Sequence, residues 1–110
     1  MKSDKETSVK RSHFGEVIRS CRVSKNMPLR KVAYHLDIDQ AILSKIERGK
    51  KQATEEQVIK LADFLEIDEE DLITSWLSDK MLYLIRDRSL ALQAIRVAEE
   101  KIKNSLGTME

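Results

Sequence analysis

The stretch Leu29–Gly49 reads LRKVAYHLDIDQAILSKIERG, and its apolar spacing decides the fold. Leu29, Val32, Ala33 and Leu36 recur at steps of three and four, which is the spacing of one face of a helix. That phase is lost across Asp37, Ile38 and Asp39 and resumes with Leu43 and Ile46. Two short helices joined by a tight turn account for the break. The short carboxylate side chain of Asp39 can accept from the orphan amides of the next turn, so Asp39 is expected to cap a second helix, Gln40–Arg48. Gly49 is expected to end it, because glycine takes the left-handed cap conformation without steric cost. Ala33 is small enough for the second helix to cross the first closely and steeply, the geometry of a helix-turn-helix.

Upstream of this stretch, Ser12 or His13 opens a helix whose inward stripe is Phe14, Val17, Ile18 and Cys21. Cys21 on that stripe reads as a small core residue rather than a nucleophile. Asn26 stands where this helix should end, and Pro28 suits the opening of the next, where its missing amide would have no intrahelical partner. Downstream, Thr54 followed by Gln57 is a capping-box pattern, and Glu55 and Glu56 suit the positive end of the helix they open. Val58, Leu61, Ala62 and Leu65 face the core of that helix, with Phe64 on its margin. Asp68-Glu69-Glu70-Asp71 reads as a further cap with an acidic first turn, since it lacks the central glycine and alternating oxygen ligands of a calcium loop.

Composition points the same way. One proline and three glycines in 110 residues leave little material for a sheet with many turns, so the fold is expected to be all-α. Charged residues make up 35% of the chain yet cancel to +1, which excludes a global basic field. The charge is segregated instead. From Arg19 to Lys51 basic residues far outnumber Asp37, Asp39 and Glu47, whereas Glu55–Asp79 is acidic on balance. A lone cysteine forms no internal disulfide, and no run is apolar enough for a membrane span or a signal peptide, so the expected location is the cytoplasm.

Met1–Arg11 is polar without apolar period and reads as a flexible N-terminal arm, whose Lys2, Lys5, Lys10 and Arg11 could alternatively reach along DNA. Beyond Leu72, a broad apolar stripe of Leu72, Ile73, Trp76, Leu77, Met81, Leu84 and Ile85 predicts a helix to about Arg86. Ala91, Ile95, Ala98 and Ile102 continue on another helix after Asp87-Arg88-Ser89. Counted from Leu77, the steps alternate four and three with only Arg88 out of character. This tail either folds back within one subunit or pairs with a second copy. Nearly forty residues beyond Leu72 carry this apolar stripe and need a partner surface, which favours a homodimer centred on Trp76 and Met81 with Leu77, Leu84 and Ile95. The expected organisation is an arm at 1–11, a helix-turn-helix domain at 12–72, a helical dimerisation extension at 73–106 and a tail at 107–110.

The run Phe14-Gly15, Ile18-Arg19, Arg22, Leu29, Val32-Ala33, Leu36, Ile38, Leu43-Ser44 and Ile46-Glu47-Arg48-Gly49 resembles the lambda-repressor/Cro-like (Xre) family of helix-turn-helix regulators. The resemblance covers about Ser12–Leu72 and implies a domain of about five helices that binds double-stranded DNA. It also implies that Arg22 pairs with Glu47, tying the first helix to the reading helix. In such domains the second helix of the motif enters the major groove while basic side chains around it clamp phosphates. Carried onto this chain, the base-contacting residues are Gln40, Ala41, Ile42, Ser44 and Lys45, and the phosphate-contacting residues are Arg30, Lys31, Arg48, Lys50 and Lys51. Gln40 suits adenine N6/N7, Lys45 suits guanine O6/N7, and Ala41 and Ile42 offer apolar contact to a thymine methyl. Two positions depart from the family pattern: Leu29 stands where many relatives have a glutamine, removing one phosphate contact, and Asp37 stands where glycine is usual. Together with the WLSDK segment and the helical tail, the chain also resembles small regulators that accompany restriction-modification genes.

Enzymatic readings find little support. His13 and His35 lie outside any metal-ligand spacing, there is no second cysteine for zinc, and no glycine-rich phosphate loop or serine elbow occurs. Tyr34 and His35 are expected on the solvent or DNA side of their helix. No catalytic residue, metal or cofactor is expected. The rival class is an antitoxin-type protein whose C-terminal helices bind a partner protein rather than a second copy of the chain.

Overall fold

The computed structural model describes residues 9–85 and 88–108. Among these residues every regular element is helical: α1 (Phe14–Ser24), α2 (Leu29–Leu36), α3 (Gln40–Glu47), α4 (Glu55–Leu65), α5 (Glu69–Leu84) and α6 (Ala91–Thr108). The chain divides into two units, Met1–Lys80 and Met81–Glu110, and the division falls within α5.

The first unit closes around Ile18, Leu43, Ile46, Leu61, Leu65 and Leu72, all fully buried, with Val32 and Val58 beside them. Their positions are those of the three- and four-residue stripes, so each helix presents one apolar face inward and a charged face outward. Four helices end in the same way. After α1, α2, α3 and α4 the chain places Asn26, Asp37, Gly49 and Glu66 in the left-handed region, with φ of 56°, 58°, 74° and 59°. In each, the next amide reaches back to a carbonyl in the last turn: Met27 to Arg22, Ile38 to Ala33, Lys50 to Lys45 and Ile67 to Ala62. This is the paired C-terminal cap that usually goes with an apolar residue just beyond the helix. Met27, Ile38 and Ile67 fill that place and pack on the core. Asp37 therefore occupies a position that suits glycine, because its short polar side chain tolerates the left-handed region.

The starts of the helices vary more. Thr54 and Gln57 form a complete capping box at α4, and Asp68 accepts from the Asp71 amide at α5. Pro28 precedes α2 as its cap rather than occupying its first turn. The first amide of α1, that of Phe14, donates to Asp79 Oδ2 at 2.7 Å, so this helix is capped from α5. Asp79 Oδ1 also lies 2.9 Å from His13 Nδ1, and the Ser75 hydroxyl donates to the Ser12 carbonyl at 2.6 Å. One face of α5 thus holds the entry to α1.

Several boundaries differ from those that polarity alone predicts. Residues 9–11 are helical, and Val9 packs half-buried on the core, so the domain begins before Ser12. The expectation of a flexible arm at residues 1–8 lies outside the described residues. Trp76, assigned by the stripe to the centre of a dimer contact, belongs instead to the core of its own chain. It is 6% exposed, and its indole N–H donates to the Ala53 carbonyl at 2.8 Å. A buried indole needs such an acceptor, and the loop after Gly49 supplies it.

In the second unit the expected helix to Arg86 ends at Leu84, residues 88–90 form a turn, and α6 continues through Gly107 and Thr108, which were expected in the tail. Arg86, Asp87 and residues 109–110 lie outside the described residues. Ala91 is buried and Ile95 half-buried, whereas Leu84, Leu92, Ile102 and Leu106 are largely exposed.

Candidate nucleic-acid interface

The site is built on α3, whose eight residues alternate between core and surface as a helical period requires. Leu43 and Ile46 are buried and fix the rotation of the helix about its axis. That rotation leaves Gln40, Ala41 and Lys45 exposed, with Ile42 and Ser44 half-buried at the edges of the outward face. The structure thus brings the five candidate base-reading residues onto one helix.

The C-terminal half of α3 rests on a bed formed by α1. Gly15, Ile18 and Arg22 are spaced at three and four and share one face of α1. At Gly15 the backbones approach so closely that an added Cβ would lie 2.5 Å from the Ile46 carbonyl oxygen and closer still to that of Glu47. Only glycine fits there. Two turns along, Arg22 holds Glu47 side-on through one edge of its guanidinium: Nε donates to Oε2 at 2.8 Å and Nη2 to Oε1 at 3.1 Å. Its Nη1 donates to the Met27 carbonyl at 2.9 Å, which ties the α1–α2 loop to the same group. The Glu47 side chain is 5% exposed, and the hydrogen bond to it raises the Arg22 pKa still further. A pair this enclosed tolerates loss of neither partner, since the survivor would be a stranded charge.

The N-terminal end of α3 is built differently. Asp39 stands in the cap position with extended backbone, but its side chain makes no capping bond. Its main-chain carbonyl alone accepts from the Ile42 and Leu43 amides, each at 3.1 Å. Beside it lies a shallow depression lined by Tyr34, Asp37, Ile38, Asp39 and Ile42. Tyr34 is 88% exposed there, while His35 stacks on Phe64 with ring centroids 4.0 Å apart. His35 is therefore a packing residue, although it stands on the outer side of its helix.

The candidate phosphate-binding residues lie before and after this helix in the chain. Arg30 and Lys31 are exposed at the start of α2, and Arg48, Lys50 and Lys51 are exposed just past α3. Among the described residues none of these five, nor Lys45, has an acidic partner within 4 Å. Arg48 folds back so that Nε donates to the Ser44 carbonyl at 3.3 Å. Leu29 is half-buried and packs on the core, which explains why it replaces a polar residue there.

Sequence reasoning noted Gly15 only as part of the family pattern, without its packing role, and missed Asp79 and the indole partner of Trp76. The glycine carried a readable signal, because it interrupts an apolar face three residues before Ile18, as a site of close helix approach would. Asp79 carried none, since its partners Phe14 and His13 are 65 and 66 residues away in sequence. Among the described residues no three histidine, cysteine, aspartate or glutamate side chains are grouped to hold a metal ion, and no helix is long and apolar enough to cross a membrane.

Comparison with known proteins adds a lineage to this geometry. The helix-turn-helix family pattern matches residues 18–72, from within α1 through α3 to the start of α5. Control protein C.BamHI of Bacillus amyloliquefaciens is 33% identical over 61 residues, covering 54% of this chain and 75% of the relative. No solved structure matches the chain significantly. The residues beyond Leu72 lie outside the family match.

Proposed function

Because the chain belongs to the Xre-type helix-turn-helix family of DNA-binding regulators, we propose that it is a sequence-specific transcriptional regulator that binds a palindromic or pseudo-palindromic operator as a homodimer. The observation that carries this reading is the outward face of α3: Gln40, Ala41 and Lys45 stand exposed on it, and among the described residues the nearby cations Arg30, Lys31, Arg48, Lys50 and Lys51 are exposed and have no acidic partner within 4 Å. Laid in a major groove, this face puts an amide, a methyl and an ammonium at the base edges, with Ile42 and Ser44 at its margins. Arg30 and Lys31 on one side and Arg48, Lys50 and Lys51 on the other then meet phosphates and set the register.

A second copy would contribute the second half-site, and Leu77, Met81, Leu84 and Ile95 carry the contact between copies in this reading. The likeness to a control protein supports a role beside restriction-modification genes, acting on operators near promoters in the cytoplasm. One observation favours a second reading. Leu84 is 78% exposed on a unit outside the family match, as expected of an antitoxin-type protein whose C-terminal helices capture a different protein.

The test is fluorescence anisotropy against the DNA upstream of the protein's own gene and against a scrambled duplex, at two salt concentrations. A regulator of that gene should prefer the upstream DNA by about 10³ or more. Equal and steeply salt-dependent binding to both would overturn the autoregulatory reading. Sedimentation of the protein separates the two readings of the tail, since a homodimer should form without any partner.

A further inference from the structure

The bare N-terminal end of α3 carries a consequence for what the helix reads. An aspartate at a helix cap normally turns its carboxylate onto the amides of the first turn. Asp39 does not, and among the described residues it has no ion-pair partner either. Its carboxylate stands exposed at the leading tip of the helix that the proposed function places in the groove, one residue before Gln40. A carboxylate only accepts hydrogen bonds, so the base edge it meets must donate.

The four bases differ sharply at this point. Thymine presents O4 and guanine presents O6 and N7, all acceptors, so both would set lone pairs against the carboxylate. Adenine offers its N6 amino group but places the N7 acceptor next to it. Cytosine offers the N4 amino group with the apolar C5–H edge as its neighbour. The depression beside Asp39 offers a surface for that second feature: Ile38, Ile42 and the exposed ring of Tyr34 form its apolar part, and Asp37 and Asp39 its polar part.

We infer that Asp39 is a specificity-determining residue that selects cytosine, accepting from N4 while the C5 edge lies over Ile42. The inference rests on the reading of α3 as the groove-entering helix. It adds one cytosine to each half-site, adjacent to the base read by Gln40, and adds negative charge where the DNA is negative. Asp39 therefore weakens nonspecific binding while sharpening the choice of base.

The experiment is selection from a randomised duplex library by the full chain and by its Asp39→Asn variant, followed by anisotropy on the selected duplex and on one with that C·G pair changed to T·A. Asparagine caps helices as well as aspartate does, so the variant should melt at the wild-type temperature. It both donates and accepts, and therefore tolerates an acceptor edge. The wild-type motif should contain one invariant cytosine per half-site that becomes degenerate for Asp39→Asn while the other columns persist. The C·G to T·A change should weaken wild-type binding about tenfold and the variant by less than about twofold. The variant should also bind scrambled DNA more tightly than wild type. An identical motif for both proteins would overturn the role of Asp39 and leave the regulator reading standing. If wild type enriches no motif at all, the regulator reading fails and this inference fails with it.

Discussion

The two ends of α3 are held by opposite means. At its C-terminal end the helix is closed in: its carbonyls press on Gly15, Glu47 is gripped by Arg22, and Gly49 completes a left-handed cap. At its N-terminal end no side chain caps it, and Gln40, Ala41 and Asp39 project outward. The difference separates two tasks within eight residues. One end fixes where the helix points, and the other keeps its polar groups available for a ligand. Rigid support behind a site whose polar side chains stand exposed is the arrangement that the proposed reading of DNA needs.

The largest effect should come from breaking the closed end. Gly15→Ala puts a methyl group into main-chain carbonyls, which cannot rotate away as a side chain would. A loss of about 3 kcal/mol or more is expected, seen as a fall in the urea midpoint with little change in slope. A variant as stable as wild type would mean that α1 and α3 can separate without cost.

Next in size is the ion pair. Arg22→Ala or Glu47→Gln should each cost about 3 kcal/mol, because each strands a buried group. The double variant should cost much less than the sum, giving a coupling well above 1 kcal/mol in a double-mutant cycle. Additive losses would show that the two residues act independently.

On the outward face the losses should appear in binding rather than in folding. Lys45→Ala should cost about 1–2 kcal/mol at the cognate site and little on scrambled DNA. Lys50→Ala should weaken both alike and reduce the salt slope by about one. Titrations of both variants against both duplexes at several salt concentrations decide this, and equal effects on the two duplexes for both variants would contradict the division.

Caps give a sharper version of the same contrast. Thr54→Ala removes a complete capping box and should cost about 1 kcal/mol. Asp39→Ala removes a side chain that makes no such bond and should cost only a few tenths, even though both residues stand at the N-cap of a helix. Thermal melts of the two variants side by side would reverse this ranking if Asp39 did cap α3 in solution.

These residues also mark what was legible in the sequence. The buried faces of α1 to α4 follow from spacing, because a helix shows its core side every three or four residues and Ile18, Leu43 and Leu61 obey that period. Local chemistry was legible too, as the capping box at Thr54 and the left-handed turn at Asp37 depend only on neighbours in the chain. What escaped depends on distant approach. Periodicity says that Trp76 has an apolar neighbour but not whether it belongs to the same chain, and the answer lies with Ala53. The Asp39 side chain escaped for another reason: residue type predicts that it can cap, and only the rotamer decides whether it does.

The smallest effect concerns how the closed end is itself supported. The α1 bed is held at its start by Asp79, which accepts from the Phe14 amide and contacts His13. The hydrogen bond to Asp79 raises the His13 pKa, with the Asp79 charge and that of Glu16 adding to it and desolvation opposing. A proton bound more tightly by the folded state stabilises it. The contribution is therefore fully present below the unfolded value of about 6.5 and is lost as pH rises through the higher folded value. His13 is largely exposed, so solvent screening limits the gain to about 0.5 kcal/mol. Asp79→Asn should lose this pH dependence together with part of the α1 cap, whereas His13→Gln should lose the pH dependence and keep the Phe14 bond. Urea melts of the three proteins from pH 5.5 to 8.5 read the difference directly. A wild-type advantage over His13→Gln that grows with pH would place the proton on the wrong state and remove His13 from the support of α1.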